Sequence, residues 1–210
     1  CSHDRKKKHA KCLSVNVDEG VWYCHHCGWK GSLNNNGNIM NQKMYQSQQT
    51  KRHNRPVYSP PSLVPAEIMK WGESRGITEE VLQRNKIGFN EGMLQFPYYK
   101  CGEVINIKQR GLDDKTKQRL ESGAELNLYG YDDIDNESTI WVEGEPDKLA
   151  IESAGFENCV SVPNGAKGLT FFENCRDRLD EVKAFIWAGD HDSDGRALEA
   201  ELIRRLGTER

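Results

Sequence analysis

The sequence has no run of roughly twenty consecutive apolar residues, so nothing in it reads as a membrane-crossing helix. It has no secretory signal with an apolar core, no internal repeat, and no G-x-x-x-x-G-K-[ST] phosphate loop. Cysteine is scarce and unevenly placed. Of seven, Cys1, Cys12, Cys24 and Cys27 crowd the first 27 positions, while Cys101, Cys159 and Cys175 are scattered. An odd number with one tight cluster argues against a disulfide framework and for a metal site beside ordinary thiols in a reducing compartment. The chain begins at Cys1 rather than Met, and further sequence is expected upstream.

Of the 210 residues, 36% are apolar and 29% charged, the profile of a soluble domain plus a small module. The net charge of −3 hides an asymmetry. Residues 1–60 hold ten Lys/Arg against three Asp/Glu, and residues 61–210 hold nineteen against twenty-nine. A basic front suits a polyanion, and an acidic back suits a cation. Four segments are expected. Residues 1–33 are dense in Cys, His, Gly and cations. Residues 34–62, rich in Asn, Gln and Ser, read as a flexible linker. Residues 63–137 begin with two short helices broken near Gly76, the second capped by Thr78, followed by strand-like runs at 94–100, 103–110 and 126–131. Residues 138–210 alternate apolar strands (TIWVEG, NCVSVP, VKAFIWAGD) with helices, which predicts a parallel sheet covered by helices.

Two clusters carry chemistry. Cys24 and Cys27 form a CxxC knuckle followed by Gly, the turn that points two thiolates at one zinc ion. Cys1 is the third candidate, read as the second half of a knuckle begun upstream. Cys12 and His3 stand as alternatives for the fourth ligand, with Cys12 also read as a small buried residue. His25 and His26, inside the knuckle, read as exposed. The second cluster is acidic. WVEGEPD places Glu143, Glu145 and Asp147 at the end of one strand, and WAGDHDSDG places Asp190, Asp192 and Asp194 at the end of another. Parallel strands end on one edge, so the clusters are expected to meet there. Carboxylates gathered in this way suit magnesium or manganese, hard cations that prefer oxygen ligands.

These motifs resemble a known family. The segment CLSVNVDEGVWYCHHCGWKGSL resembles the zinc ribbon of phage and bacterial primases, which contacts template DNA. Arg5, Lys6, Lys7, Lys8 and Lys11 suit phosphates, and Trp22, Tyr23 and Trp29 suit unpaired bases, with Trp22 the best candidate for the ribbon's own core. The acidic set resembles the TOPRIM pattern of primases, topoisomerases and some nucleases. The resemblance implies Glu143, Asp190 and Asp192 as the catalytic carboxylates that hold magnesium, Glu143 also near the reacting oxygens as candidate general base, Asp194 as a further metal ligand, Asp147 as a helper, and Asn164 and Gly165 in a nearby loop. Residues 98–134 resemble the basic subdomain before TOPRIM in phage primase–helicases and Twinkle-like proteins. There Lys108 and Lys117 match triphosphate-contacting lysines, with Arg110, Lys115 and Arg119 as neighbours.

The fold implied is α/β: a TOPRIM parallel-sheet domain, a preceding α+β basic subdomain and a small zinc ribbon. The activity implied is magnesium- or manganese-dependent synthesis of RNA primers on single-stranded DNA from ribonucleoside triphosphates. The partners implied are a helicase domain in the same full-length chain and a DNA polymerase, with no membrane. The location implied is the cytoplasm of a bacterial or infected cell, with an organellar matrix as the alternative. A TOPRIM nuclease or topoisomerase fragment, and a non-catalytic DNA-binding module, are the competing readings.

Overall fold

The computed structural model describes residues 13–17, 20–24, 30–32, 53–114, 116–164 and 169–207. Cys1, His3, the Arg5–Lys8 run, Lys11, Cys12, His25, His26, Cys27, Trp29, Lys115 and Gly165 lie outside them. The chain forms two compact units, Cys1–Arg52 and His53–Arg210.

In the first unit, β1 (Leu13–Asn16), β2 (Val21–Cys24) and β3 (Lys30–Ser32) form an antiparallel sheet in that order. Trp22 pairs with Gly31 across β2 and β3. A Cβ on Gly31 would collide with the indole, so the ring lies over the glycine. Cys24 is buried at the end of β2. Its intended zinc partners, Cys1 and Cys27, are among the residues not described.

The second unit starts with residues 53–62, which lie along it. Tyr58 donates to the Lys86 carbonyl at 2.5 Å, and Arg55 pairs with Glu103. Then come α1 (Ala66–Glu73) and α2 (Glu79–Arg84). Gly76, with φ +68°, makes the break between them. Thr78 caps α2, its side chain accepting from the Val81 amide. Strands β4 (Gly88–Asn90), β5 (Met93–Lys100), β6 (Glu103–Gly111) and β7 (Gln118–Leu120) follow as an antiparallel meander. Cys101 and Gly102, both at positive φ, form the two-residue turn joining β5 to β6, the geometry that matches strand twist.

The run at 126–131, expected as a strand, makes only one antiparallel bridge, Tyr129 to Ser161. Asn127 turns its side chain back onto the Leu128 amide, and Gly130 at φ +81° leads into a 3-10 turn, Tyr131–Asp133. Those two local choices end any ladder.

The remainder alternates as expected: β8 (Ser138–Val142), α3 (Glu145–Ser153), β9 (Cys159–Ser161), α4 (Phe172–Leu179), β10 (Ala184–Trp187) and α5 (Ser193–Leu206). The sheet is parallel, in the order β10-β8-β9. Trp141, Val160, Phe172 and Leu198 pack on one face, and Ile140, Val142 and Cys159 on the other. Burial on both faces explains why β8 and β9 read as unbroken apolar runs, whereas the edge strand β10 leaves Ile186 exposed. Leu149 of α3 belongs to the core beneath the antiparallel sheet, alongside Phe96 and Tyr98. Helix α3 is therefore the seam between the two sheets. No helix among the described residues is long and apolar enough to cross a membrane.

Candidate active site

The site sits where the seam opens. Strand β8 ends at Val142, so Glu143 is the first residue beyond it, and Gly144 then caps α3. Strand β10 pairs with β8 in register, Trp187 opposite Trp141, and Ala188 extends the ladder by donating to the Trp141 carbonyl at 2.9 Å. Asp190 therefore arrives beside Glu143, and its amide donates to Glu143 Oε1 at 2.8 Å. Asp192 caps α5, its Oδ1 accepting from the amides of Asp194 and Gly195 at 3.0 and 2.8 Å. A Cβ on Gly195 would collide with the Asp190 carbonyl and come within 2.5 Å of Glu143 Oε1. Only glycine fits under this pair. The sequence held that signal in Asp-His-Asp-Ser-Asp-Gly, where the glycine was not singled out.

The carboxylates feel one another. Desolvation raises the Glu143 pKa above its ordinary value, and Asp190, Asp192 and Asp147 raise it further against the opposing Asp190 amide. Asp147, which reaches solvent, is also raised, by desolvation and by Asp190, with Arg110 pulling the other way. Among the described residues no three His, Cys, Asp or Glu side chains close into a metal cage. What is present is an all-oxygen set under mutual repulsion. It fits a hard divalent cation that takes few protein ligands and keeps waters or phosphates in its shell.

Facing this edge is a cleft of about 330 Å³. Lys108, Arg110 and Arg119 of the antiparallel sheet form one wall, Glu143 lies opposite, and Pro163 and Asn164 complete it. Lys108 is nearly buried. Its ammonium donates to both oxygens of Glu145 at 2.9 Å and to the Pro163 carbonyl at 3.0 Å. Glu145 also accepts from the Tyr98 hydroxyl, which burial, reinforced by the Glu145 charge, keeps protonated. Arg119 spends two donors on Gln109. Lys117 is exposed on the turn before β7, 3.9 Å from Asp114, and does not line the cleft. The structure thus brings Glu143, Asp190, Asp192, Arg110, Lys108 and Asn164 to one region. It leaves Lys117 outside the cleft, and Asp194 on the first turn of α5. The Tyr98–Glu145–Lys108 linkage was not legible beforehand, because Glu145 read equally well as a helix-start charge.

Comparison with solved structures defines the fold. The primase fragment of the bacteriophage T7 primase–helicase superposes with a TM-score of 0.58 at 18% identity, over 95% of this chain and 82% of that one. The zinc-binding and RNA polymerase domains of Aquifex aeolicus primase give 0.58 at 17% identity, over 93% and 66%. The DnaG catalytic core gives 0.53 at 20% identity, over 65% and 58%. The fold is that of the primase core, with the parallel sheet and the preceding α+β subdomain expected from the sequence.

The sequence relatives are plant proteins. The chain is 36% identical to the Primase homolog protein of Arabidopsis thaliana, over 90% of this chain and 61% of that protein. It is 34% identical to the Twinkle homolog protein, chloroplastic/mitochondrial, of the same plant, over 94% and 30%. The chain therefore spans less than two thirds of either relative. No family model matches it.

Proposed function

We propose that this chain is the primer-synthesising part of a DNA primase, joining ribonucleoside triphosphates on a single-stranded DNA template. The observation that supports this best is the cleft itself. Arg110 and Arg119 line it together with Glu143, whose Oε1 in turn holds the amide of Asp190 at the start of the segment that carries Asp192. Cations on one side suit a triphosphate and an anionic primer. Mutually repelling carboxylates on the other suit magnesium or manganese, held by Glu143, Asp190 and Asp192 with help from Asp194. When bound, the metal would acidify the attacking hydroxyl and stabilise the leaving phosphate.

The chain's own groups have definite tasks in this reading. Arg110 and Arg119 orient the triphosphate and neutralise charge that builds on the phosphates. Glu143, with its raised pKa, is the group suited to receive a proton at its free oxygen while Oε1 holds the Asp190 amide. Asp192 keeps Oδ1 on the α5 amides, and its Oδ2 would be the oxygen that serves the metal. Asn164 offers an amide to the sugar or phosphate across the cleft. The first unit, completed as a zinc ribbon through Cys1, Cys24 and Cys27, would hold template DNA. The relation to a Twinkle homolog named as chloroplastic/mitochondrial supports an organellar matrix as a location beside the cytoplasm, and the likeness to the primase fragment of a primase–helicase suits a helicase domain in the full-length protein, with a DNA polymerase as the user of the primers.

The test is incorporation of labelled ribonucleotides on mixed-sequence single-stranded DNA with magnesium, for the wild type and Asp190→Ala. Short RNA from the wild type alone supports the reading. Equal products from both would sink it, and DNA cleavage without ribonucleotides would favour a nuclease.

A further inference from the structure

Lys108 has a feature that a phosphate-binding lysine should lack. An ammonium has three N–H donors. All three already have acceptors, two on Glu145 and one on the Pro163 carbonyl. Lys108 is 9% exposed and Glu145 2%. To touch a triphosphate, Lys108 would have to abandon a buried carboxylate, which would then be left with Tyr98 alone. Leaving a buried charge uncompensated is strongly unfavourable.

The three segments tied by this ammonium matter more than the ammonium itself. Lys108 lies on β6, two residues before Arg110 and therefore on the same face of the strand. Glu145 lies two residues after Glu143. Pro163 precedes Asn164 in the loop after β9. One side chain thus joins the cationic wall, the acidic edge and the loop that completes the cleft.

Resting on the primase reading above, we infer that Lys108 and Glu145 are a pair of positioning residues: they set the spacing between Arg110 and Glu143 and contact neither nucleotide nor metal. A misplacement of about 1 Å between reacting groups costs on the order of 100-fold in rate, so such a clamp matters without touching substrate.

The experiment compares four forms of the chain: wild type, Lys108→Met, Glu145→Gln, and the double variant. The amide oxygen introduced by Glu145→Gln can still accept from Tyr98, and in the double variant neither member of the pair carries a charge. Primer synthesis and equilibrium binding of ATP with magnesium are both measured, with Arg110→Met as the reference for a lost phosphate contact. Lys108→Met should slow synthesis about 10-fold or more by stranding the Glu145 carboxylate. The double variant should recover to within about threefold of wild type, a coupling that independent sites do not show. Its ATP affinity should stay within about twofold of wild type, while Arg110→Met weakens binding about tenfold. A double variant as slow as Lys108→Met, with ATP binding weakened as in Arg110→Met, would place Lys108 on the triphosphate and overturn the inference. If Lys108→Met does not fold, the double variant alone decides between these outcomes. Wild type that neither binds ATP nor makes primers removes the primase reading and the inference together, and that control separates the two failures.

Discussion

Glu143 is held in a state that costs the free protein stability. Its pKa is raised by desolvation and by three neighbouring acids. A carboxyl whose folded pKa lies above its unfolded value favours folding only below the unfolded value, and that contribution is lost as pH rises through the folded one. At neutral pH the ionised group therefore strains the native state. Glu143→Gln should raise the melting temperature by about 2 °C while abolishing primer synthesis. Scanning calorimetry beside the ribonucleotide assay checks both, and a lowered melting temperature would refute the account. Gly195 carries the opposite constraint. Gly195→Ala should cost about 1–3 kcal/mol and most of the activity, because the new methyl falls on the Asp190 carbonyl and Glu143. Urea titration together with primer yield measures it. At this scale the sequence revealed which acids gather, since strand-Glu-Gly and strand-Asp-x-Asp are local patterns. It could not reveal Tyr98 and Lys108 as the partners of Glu145, because long-range pairing of β5 and β6 with α3 leaves no periodic trace.

Helices and strands show the same division. Thr78, Gly76 and the apolar runs announced α1, α2, β8, β9 and β10, because caps and burial are written in neighbouring residues. The segment at 126–131 was misread as a strand. Its apolar residues are buried by tertiary packing rather than by a ladder, and only Tyr129 finds a strand partner. A buried polar knot ties the elements around it. Lys148 of α3 is fully buried, bonding Asp133 at 2.8 Å, Asn85 at 3.0 Å and also Glu152. Arg84 of α2 pairs with Asp133 and Glu152. Burial alone would push the Glu152 pKa up, but Lys148, Asn85 and Arg84 outweigh it and hold the value below normal. That contribution to stability is present above the ordinary Glu pKa near ~4.3 and fades as pH falls through the folded value. Lys148→Met should leave Asp133 and Glu152 sharing Arg84 as their one remaining cation and cost about 3 kcal/mol, seen as a lower urea midpoint. An unchanged midpoint would show that the knot contributes no net stability.

At the scale of the molecule, His53–Arg210 carries both sheets, the seam helix and the whole cleft. Because Leu149 of α3, in the half that carries the parallel sheet, lies in the core of the other sheet, the two cannot melt apart without exposing a shared interior. A fragment spanning 53–210 should therefore unfold in one cooperative transition, with calorimetric and van't Hoff enthalpies in agreement. Two separate transitions would contradict this. That β8, β9 and β10 run parallel followed from alternating strands and helices, whereas their order, β10-β8-β9, is set by packing that the alternation does not encode. The antiparallel meander was legible only in part, because β4 and β7 are three residues long and lack a pattern.

The in-register pairing of Trp187 with Trp141 makes arithmetic part of the site. Glu143 lies two positions beyond one tryptophan and Asp190 three beyond the other, and the hydrogen bond between them depends on that difference. Adding or deleting a residue at Ala188–Gly189 would leave every acid in the sequence and every strand in the sheet, yet dissolve their meeting. The length of that connection should resist change as firmly as the identity of the carboxylates it delivers.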